Sequence, residues 1–423
     1  MAEKVRFFIE NIKENLLWLI DPENISEIGT IKVIHLFEKL FSLFVSRRGG
    51  LQQTLEQPIK IKFHVINWLT RFLSLFFMVR LCLFIFTHNS YLDLFLGNPF
   101  SNKDGKQNAV LLHIFFMCAY VYGLREYTLR LEETGRLKII RIILMLEERG
   151  FNAEELNMNY HRCKQFQKWC HYIFTYNFMS IICSSSLVIL IDIYSRCSQA
   201  TYQLSFIIVQ VIHVFVEGIT LFLIAINGIC STTYVLVIFI FFIRRFNTFN
   251  DSLAKLNLRS SMNDSILTKL NYQLTELLNN IGQWNSDFKY LFQYCVIASS
   301  FISNFACFVG FLYGFSPGAM TRTVAIFGIS HHMLVFIGTY LASTIHSESI
   351  KIRRCYCKLL SKGKLNEMIF QLKSIEILDR LDSNTIGIHL GDFGIVKRSN
   401  CIILLLENAS FLMLLSCNVR SFN

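Results

Sequence analysis

The residues best suited to chemistry lie inside apolar stretches of this chain. Glu407 and Asn408 interrupt the last apolar run, Ser399–Cys417. An ionisable group within a membrane span costs about 2.5–3.5 kcal/mol or more, so its presence signals a task. Copies of Glu407 around an axis would attract cations; the alternative is a protonated or paired glutamate between helices. His213 and Glu217 stand four residues apart in another apolar run and share a helix face. They can pair with each other or border a polar pocket. Ser184, Ser185 and Ser186, and further on Ser299, Ser300, Ser303 and Asn304, form polar patches in apolar surroundings. Such small polar residues serve helix packing or line a ligand site. His331 and His332 fall at a similar depth, and adjacent helical residues point about 100° apart, which argues against a shared metal. The candidate pocket set is therefore Ser184, His213, Glu217, Ser303, Asn304, His331 and His332.

Other chemistries lack their parts. No cluster of His, Asp or Glu has ligand spacing at a membrane face, so neither an enzyme nor a cofactor is expected. Asp392-Phe393-Gly394 spells a kinase tripeptide, but the glycine-rich loop, strand lysine and catalytic loop that give it meaning are missing. The 13 cysteines are scattered and mostly within apolar segments, where cysteine acts as a small hydrophobe. Cys355 and Cys357 have no matching second pair, so no zinc site is expected. The net charge of +11 is spread between apolar blocks rather than gathered in a tract, which argues against a nucleic-acid partner.

The elements that must position these residues follow from composition. The chain is 53% hydrophobic and only 17% charged, against about 25% charged in soluble domains. This predicts an all-α polytopic membrane protein whose partner is the lipid bilayer. Residues 1–62 form a region with no signal peptide and an amphipathic or re-entrant helix at Ile31–Val45. Spans are predicted at Phe63–Phe86, Ala109–Leu124, His171–Tyr194, Tyr202–Ile243, Tyr290–Phe315, Thr321–Ile345 and Ser399–Cys417. The fourth is about twice the length of one crossing, so it is one long helix or two joined by a turn. Gly314–Gly318 reads as a tight turn. Segments 125–168, 244–290 and 346–398 are basic and amphipathic. Two apolar stripes at helical spacing mark them: Ile266, Leu270, Leu274, Leu277, Ile281 and Trp284, then Leu365, Met368, Ile369, Leu372, Ile375 and Leu378.

Charge chooses between the two readings of the fourth block. With one long helix there are seven spans. The N-terminal region and the three basic segments then hold 34 of the 41 Lys and Arg residues, and the opposite loops hold 5. That bias places the N-terminus in the cytoplasm and the C-terminus outside. None of the four prolines lies in a predicted span. The broken helices and repeated half of a transporter are therefore not signalled, though a transporter stays as a rival reading.

This arrangement resembles the insect gustatory receptors, within the superfamily that includes insect odorant receptors. The likeness rests on seven spans with the N-terminus inside, a long helical segment between spans four and five, and a short turn between spans five and six. It also rests on a glycine–aromatic lead-in to the last helix, here Gly391–Phe393 followed by Lys397 and Arg398. The family's final-helix signature, threonine-tyrosine, five hydrophobic residues, then glutamine-phenylalanine, falls on Ser410–Asn418, with serine-phenylalanine at the start and cysteine-asparagine at the end. The resemblance implies a plasma-membrane, tetrameric, ligand-gated cation channel that detects a small-molecule tastant, as a homo- or hetero-tetramer. The seventh helices would line the pore, here through Glu407, Ser410, Phe411, Leu414, Cys417 and Asn418. Cytoplasmic extensions of the helices would form an anchor domain, and the ligand would enter the outer half of the membrane domain. An odorant receptor is the alternative within the superfamily.

Overall fold

The structure, a computed structural model, describes residues 26–44, 61–87, 95–98, 105–137, 141–197, 204–258, 264–312, 319–361, 368–382 and 386–420. The turn expected at Gly314–Gly318 lies outside these residues. Helices dominate: α1 Glu27–Phe44, α2 Ile61–Phe86, α3 Gly105–Glu133, α4 Arg141–Arg149, α5 Tyr160–Cys197, α6 Leu204–Leu258, α7 Asp264–Cys307, α8 Ala319–Ser361, α9 Met368–Asp382 and α10 Arg398–Arg420. Among the described residues, seven helices (α2, α3, α5, α6, α7, α8 and α10) are long and apolar enough to cross a membrane.

The fourth predicted span is one continuous helix, α6, of 55 residues. At 1.5 Å per residue it runs for roughly 80 Å, far beyond a hydrocarbon core of about 30 Å. The same holds for α5, α7 and α8, with 38, 44 and 43 residues. The stripe expected before span five lies on the first half of α7, continuous with that span. Its Leu270, Leu274, Leu277, Ile281 and Trp284 are buried, while Ile266 is exposed and its neighbour Leu267 is buried instead. These long helices pack mainly as α5 on α6 and as α8 on α6 and α7, with α3 leaning on α2 and α7.

The amphipathic helix expected near the N-terminus is α1. Ser26 caps it, its Oγ accepting from the Gly29 N–H at 3.0 Å. Val33, Ile34, Phe37 and Phe41 form one buried face. Phe37 meets Phe174 edge-on and Phe41 meets Tyr234. Each such side chain contributes about 1.5–3 kcal/mol of burial, enough to seat a short helix against α5 and α6. The second expected stripe behaves differently. On α9, Leu372 and Ile375 are exposed, and Ser374, Ile377 and Leu381 are buried instead. The apolar residues of α9 occupy two faces, and this chain covers one of them. The side chains of Met368 and Ile369 are not described, and Leu365 lies outside the described residues.

A small hairpin joins α9 to α10. His389 bridges Ile395, and Val396 N–H donates to the Ile388 carbonyl at 2.9 Å. Gly391 and Gly394 adopt φ +55° and +90°, left-handed values that favour glycine. Asn285 of α7 clamps the hairpin, donating to the Gly387 carbonyl at 2.8 Å and accepting from the His389 N–H at 3.0 Å. The Asp392-Phe393-Gly394 tripeptide belongs to this turn. Asp392 accepts from Lys289 Nζ and from the Tyr290 hydroxyl, each at 3.1 Å.

Candidate functional site

An elongated cavity of about 300 Å³ runs between α2, α3, α5, α6, α7 and α8. Along α6 its wall reaches from Glu217 to Leu236, roughly 28 Å of helix. The wall is mainly apolar, with Phe77, Leu81 and Phe84 from α2, Ile224 and Val235 from α6, and Phe292 and Phe327 from α7 and α8. Four wall residues carry a buried polar atom with no hydrogen-bond partner among the described residues: His113 Nδ1, Ser185 Oγ, Ser231 Oγ and Trp284 Nε1. A buried polar atom left unpaired costs about 1–3 kcal/mol, so these four points favour an occupant that can hydrogen bond.

One end of the cavity is closed by a buried ionic cluster. Arg80 from α2 and Arg196 from α5 converge on Glu217 Oε1, the latter at 2.6 Å. Arg196 also holds Asp192, one turn earlier, at 2.9 Å. Both guanidinium groups donate to the Gly97 carbonyl, at 2.9 and 2.8 Å, and Arg80 donates to the Leu96 carbonyl at 2.6 Å. Gln210 of α6 accepts from Arg196 at 2.5 Å. All four ionic side chains are buried. Two cations meet two anions and most polar atoms are paired, the condition under which buried charge is tolerated. Gly97 has φ +71°, and a Cβ there would strike His213 and Arg196. The cluster thus fixes the short segment 95–98 to three spans.

The expected pocket residues separate into three places. Ser184, Glu217 and His331 face the cavity. His213 does not pair with Glu217; its Nε2 contacts the Phe95 carbonyl at 3.0 Å, and Glu217 turns to the two arginines. A charged guanidinium is a stronger partner for a buried carboxylate than a half-exposed imidazole. Ser303, Asn304 and His332 lie outside the cavity wall. Ser303 donates to the Ser299 carbonyl at 2.6 Å and contacts His332 Nδ1 at 3.3 Å. Asn304 donates to Asn408 Oδ1 of α10 at 2.7 Å. These three therefore link α7, α8 and α10. Arg80, Asp192, Arg196 and His113 were not singled out from sequence. The signal was present for the first three: Arg80 interrupts a span, and Asp192 and Arg196 stand four apart at the end of another.

Helix α10 is the least buried of the seven. Cys401 is buried, and Leu404, Asn408, Phe411, Leu412 and Leu415 are partly covered. Phe411 meets Phe301 with ring centroids 6.4 Å apart. The other side is bare: Ile402, Ile403, Leu406, Glu407, Ser410, Met413, Leu414 and Cys417 are all exposed. Of the expected pore residues, Glu407, Ser410, Leu414 and Cys417 thus lie on the bare side and Phe411 on the packed side; the side chain of Asn418 is not described.

No protein-family model matches the chain, and no curated protein matches it in sequence. Its fold is that of insect olfactory receptors. The receptor OR5 from Machilis hrabei, solved in complex with eugenol, superposes with TM-score 0.69 at 11% identity, covering 94% of this chain and 100% of that one. The structure of OR5 from Machilis hrabei superposes with TM-score 0.66 at 12% identity, covering 91% and 97%.

Proposed function

We propose that this chain is a subunit of a chemoreceptor, a cation channel of the plasma membrane opened by a small, largely apolar molecule. The observation that carries this reading is the bare face of α10. An apolar helix that exposes Glu407 on its uncovered side is poorly suited to lipid. Four such helices around an axis would turn Glu407 to a shared aqueous path and attract cations. The ligand would occupy the cavity, with apolar walls for its body and His113, Ser185, Ser231 or Trp284 for its polar group. The eugenol complex of a receptor of like fold supports a ligand of this size and character. By binding the open state more tightly, the ligand would shift the channel toward conduction. Asn304–Asn408 and Phe301–Phe411 are the contacts through which α7 would pass that shift to the pore helix.

The lead-in Gly391–Phe393 and the pattern of Ser410–Asn418 favour a tastant, as in the gustatory receptors. The likeness to solved olfactory receptors favours an odorant. The basic segments favour a cytoplasmic N-terminus and an extracellular C-terminus. Expression in a heterologous cell, alone and with partner subunits, and recording of current against tastant and odorant panels tests the reading. A ligand-evoked cation current is expected. Glu407→Gln should lower cation over anion preference; a current of unchanged selectivity would remove Glu407 from the pore.

A further inference from the structure

Outside the cavity wall, three potential metal ligands converge between α1 and α4. His35 and Glu38 stand three residues apart on α1 and so share a face. Glu147 comes from α4. One ligand atom from each lies within 4.8 Å of the others. His35 Nδ1 contacts Glu147 Oε1 directly. Glu38 is buried, the Glu147 side chain is 12% exposed, and that of His35 is 50% exposed. The helices beneath are already fixed by apolar packing, with Ile34, Phe37 and Phe41 buried on α1, and Ile143 and Leu146 on α4. The three groups are thus held in place before any ion arrives.

Charge makes the next step. Two carboxylates that approach each other in a partly buried site repel unless a proton or a cation lies between them. A divalent cation with a neutral imidazole balances both carboxylates. One nitrogen and two oxygen donors suit a borderline ion such as Zn²⁺ rather than Mg²⁺, which prefers oxygen and keeps its water. The remaining coordination positions would face solvent on the His35 side.

We propose that His35, Glu38 and Glu147 form a binding site for a divalent transition-metal cation of the Zn²⁺ type, clasping α1 to α4. The ion would secure α1 to α4 from outside the hydrophobic contact. A ligand that binds the folded form raises its apparent stability, which gives a direct readout.

The full-length protein, purified in detergent or nanodiscs and stripped with chelator, should show an unfolding temperature that rises with added Zn²⁺. Isothermal titration should return about one tight ion per chain. Mg²⁺ at the same concentration should have little effect. His35→Ala should abolish the Zn²⁺ response, read as the shift from that variant's own metal-free unfolding temperature. Glu147→Gln keeps the side-chain volume and should weaken the response by tenfold or more. An equal Zn²⁺ shift in wild type and His35→Ala would mean the ion binds elsewhere and overturn the assignment. An absent shift in the wild type, or an equal one with Mg²⁺, would do the same.

Discussion

Glu217 shows how little a buried charge can be read apart from its partners. Its carboxylate serves two guanidinium groups at once, and both of those also hold the backbone at Gly97. Removing one partner of such a pair costs about 3–5 kcal/mol, because the other charge is left buried and uncompensated. Glu217→Gln and Arg80→Ala should each lower the unfolding temperature of the solubilised protein markedly. The double variant should lose less than the sum of the two, the mark of an interacting pair. Asp392 is the opposite case, an exposed carboxylate on the hairpin. The hydrogen bond from Lys289, then that from Tyr290, holds its pKa below the ordinary value. A lowered pKa stabilises the folded form above the unfolded-state value, near 3.9, and that stabilisation is lost as pH falls through the folded value. Hairpin protection measured by hydrogen exchange should therefore be flat from neutral pH down to about 5 and fall in stronger acid. Asp392→Asn should remove that acid step.

At the scale of elements, the pairing of α7 with α8 depends on absent side chains. A Cβ at Gly310 would meet the Ala325 Cβ and, at 2.7 Å, its Cα; one at Gly328 would meet Ala306 and Cys307. Gly310 sits in the π turn Phe308–Leu312 that follows α7. Gly310→Val should force the helices apart at a cost of about 1–3 kcal/mol, seen as a lower unfolding temperature and reduced surface expression. The helices themselves were plain in the sequence, because length and hydropathy decide a span with little help from context. Their ends were not: apolar runs stop at the membrane face, whereas α5, α6, α7 and α8 carry on with polar residues that keep helical spacing. The site was partly legible. Ser184, Glu217 and His331 stood out as polar groups in apolar runs. The partners of Glu217 come from residues far away in sequence, and neither i, i+4 spacing nor depth shows such a contact. His213 misled for that reason, since local spacing offered a partner that the fold supplied elsewhere.

For the whole molecule, two of the apolar surfaces that the described residues leave uncovered bear on assembly. One is the outer side of α10; the other is the Leu372 and Ile375 face of α9, where the two side chains are 55% and 53% exposed. The α9 face belongs to a segment expected to lie beyond the bilayer, where lipid cannot cover it. Under the tetrameric reading, these surfaces meet their counterparts in neighbouring subunits. Replacing Leu372 and Ile375 with lysine should shift the purified protein from tetramer toward monomer by mass photometry or light scattering. Folding of each chain should be unaffected, since neither residue contributes to the core.

The unbroken course of α6 sets a rule of arithmetic on how this gene product can change. Each residue added to a helix turns everything beyond it by about 100° and advances it by 1.5 Å. Glu217 and Leu253 are both buried and lie on the same rod. A single-residue insertion between them would swing one end out of its packing while the other stayed in place. Seven residues restore the facing to within about 20°, but push the ends apart by roughly 10 Å. Substitution can reshape the cavity and the packing around Leu253 separately, yet no small change in length can pass through the rod that joins them.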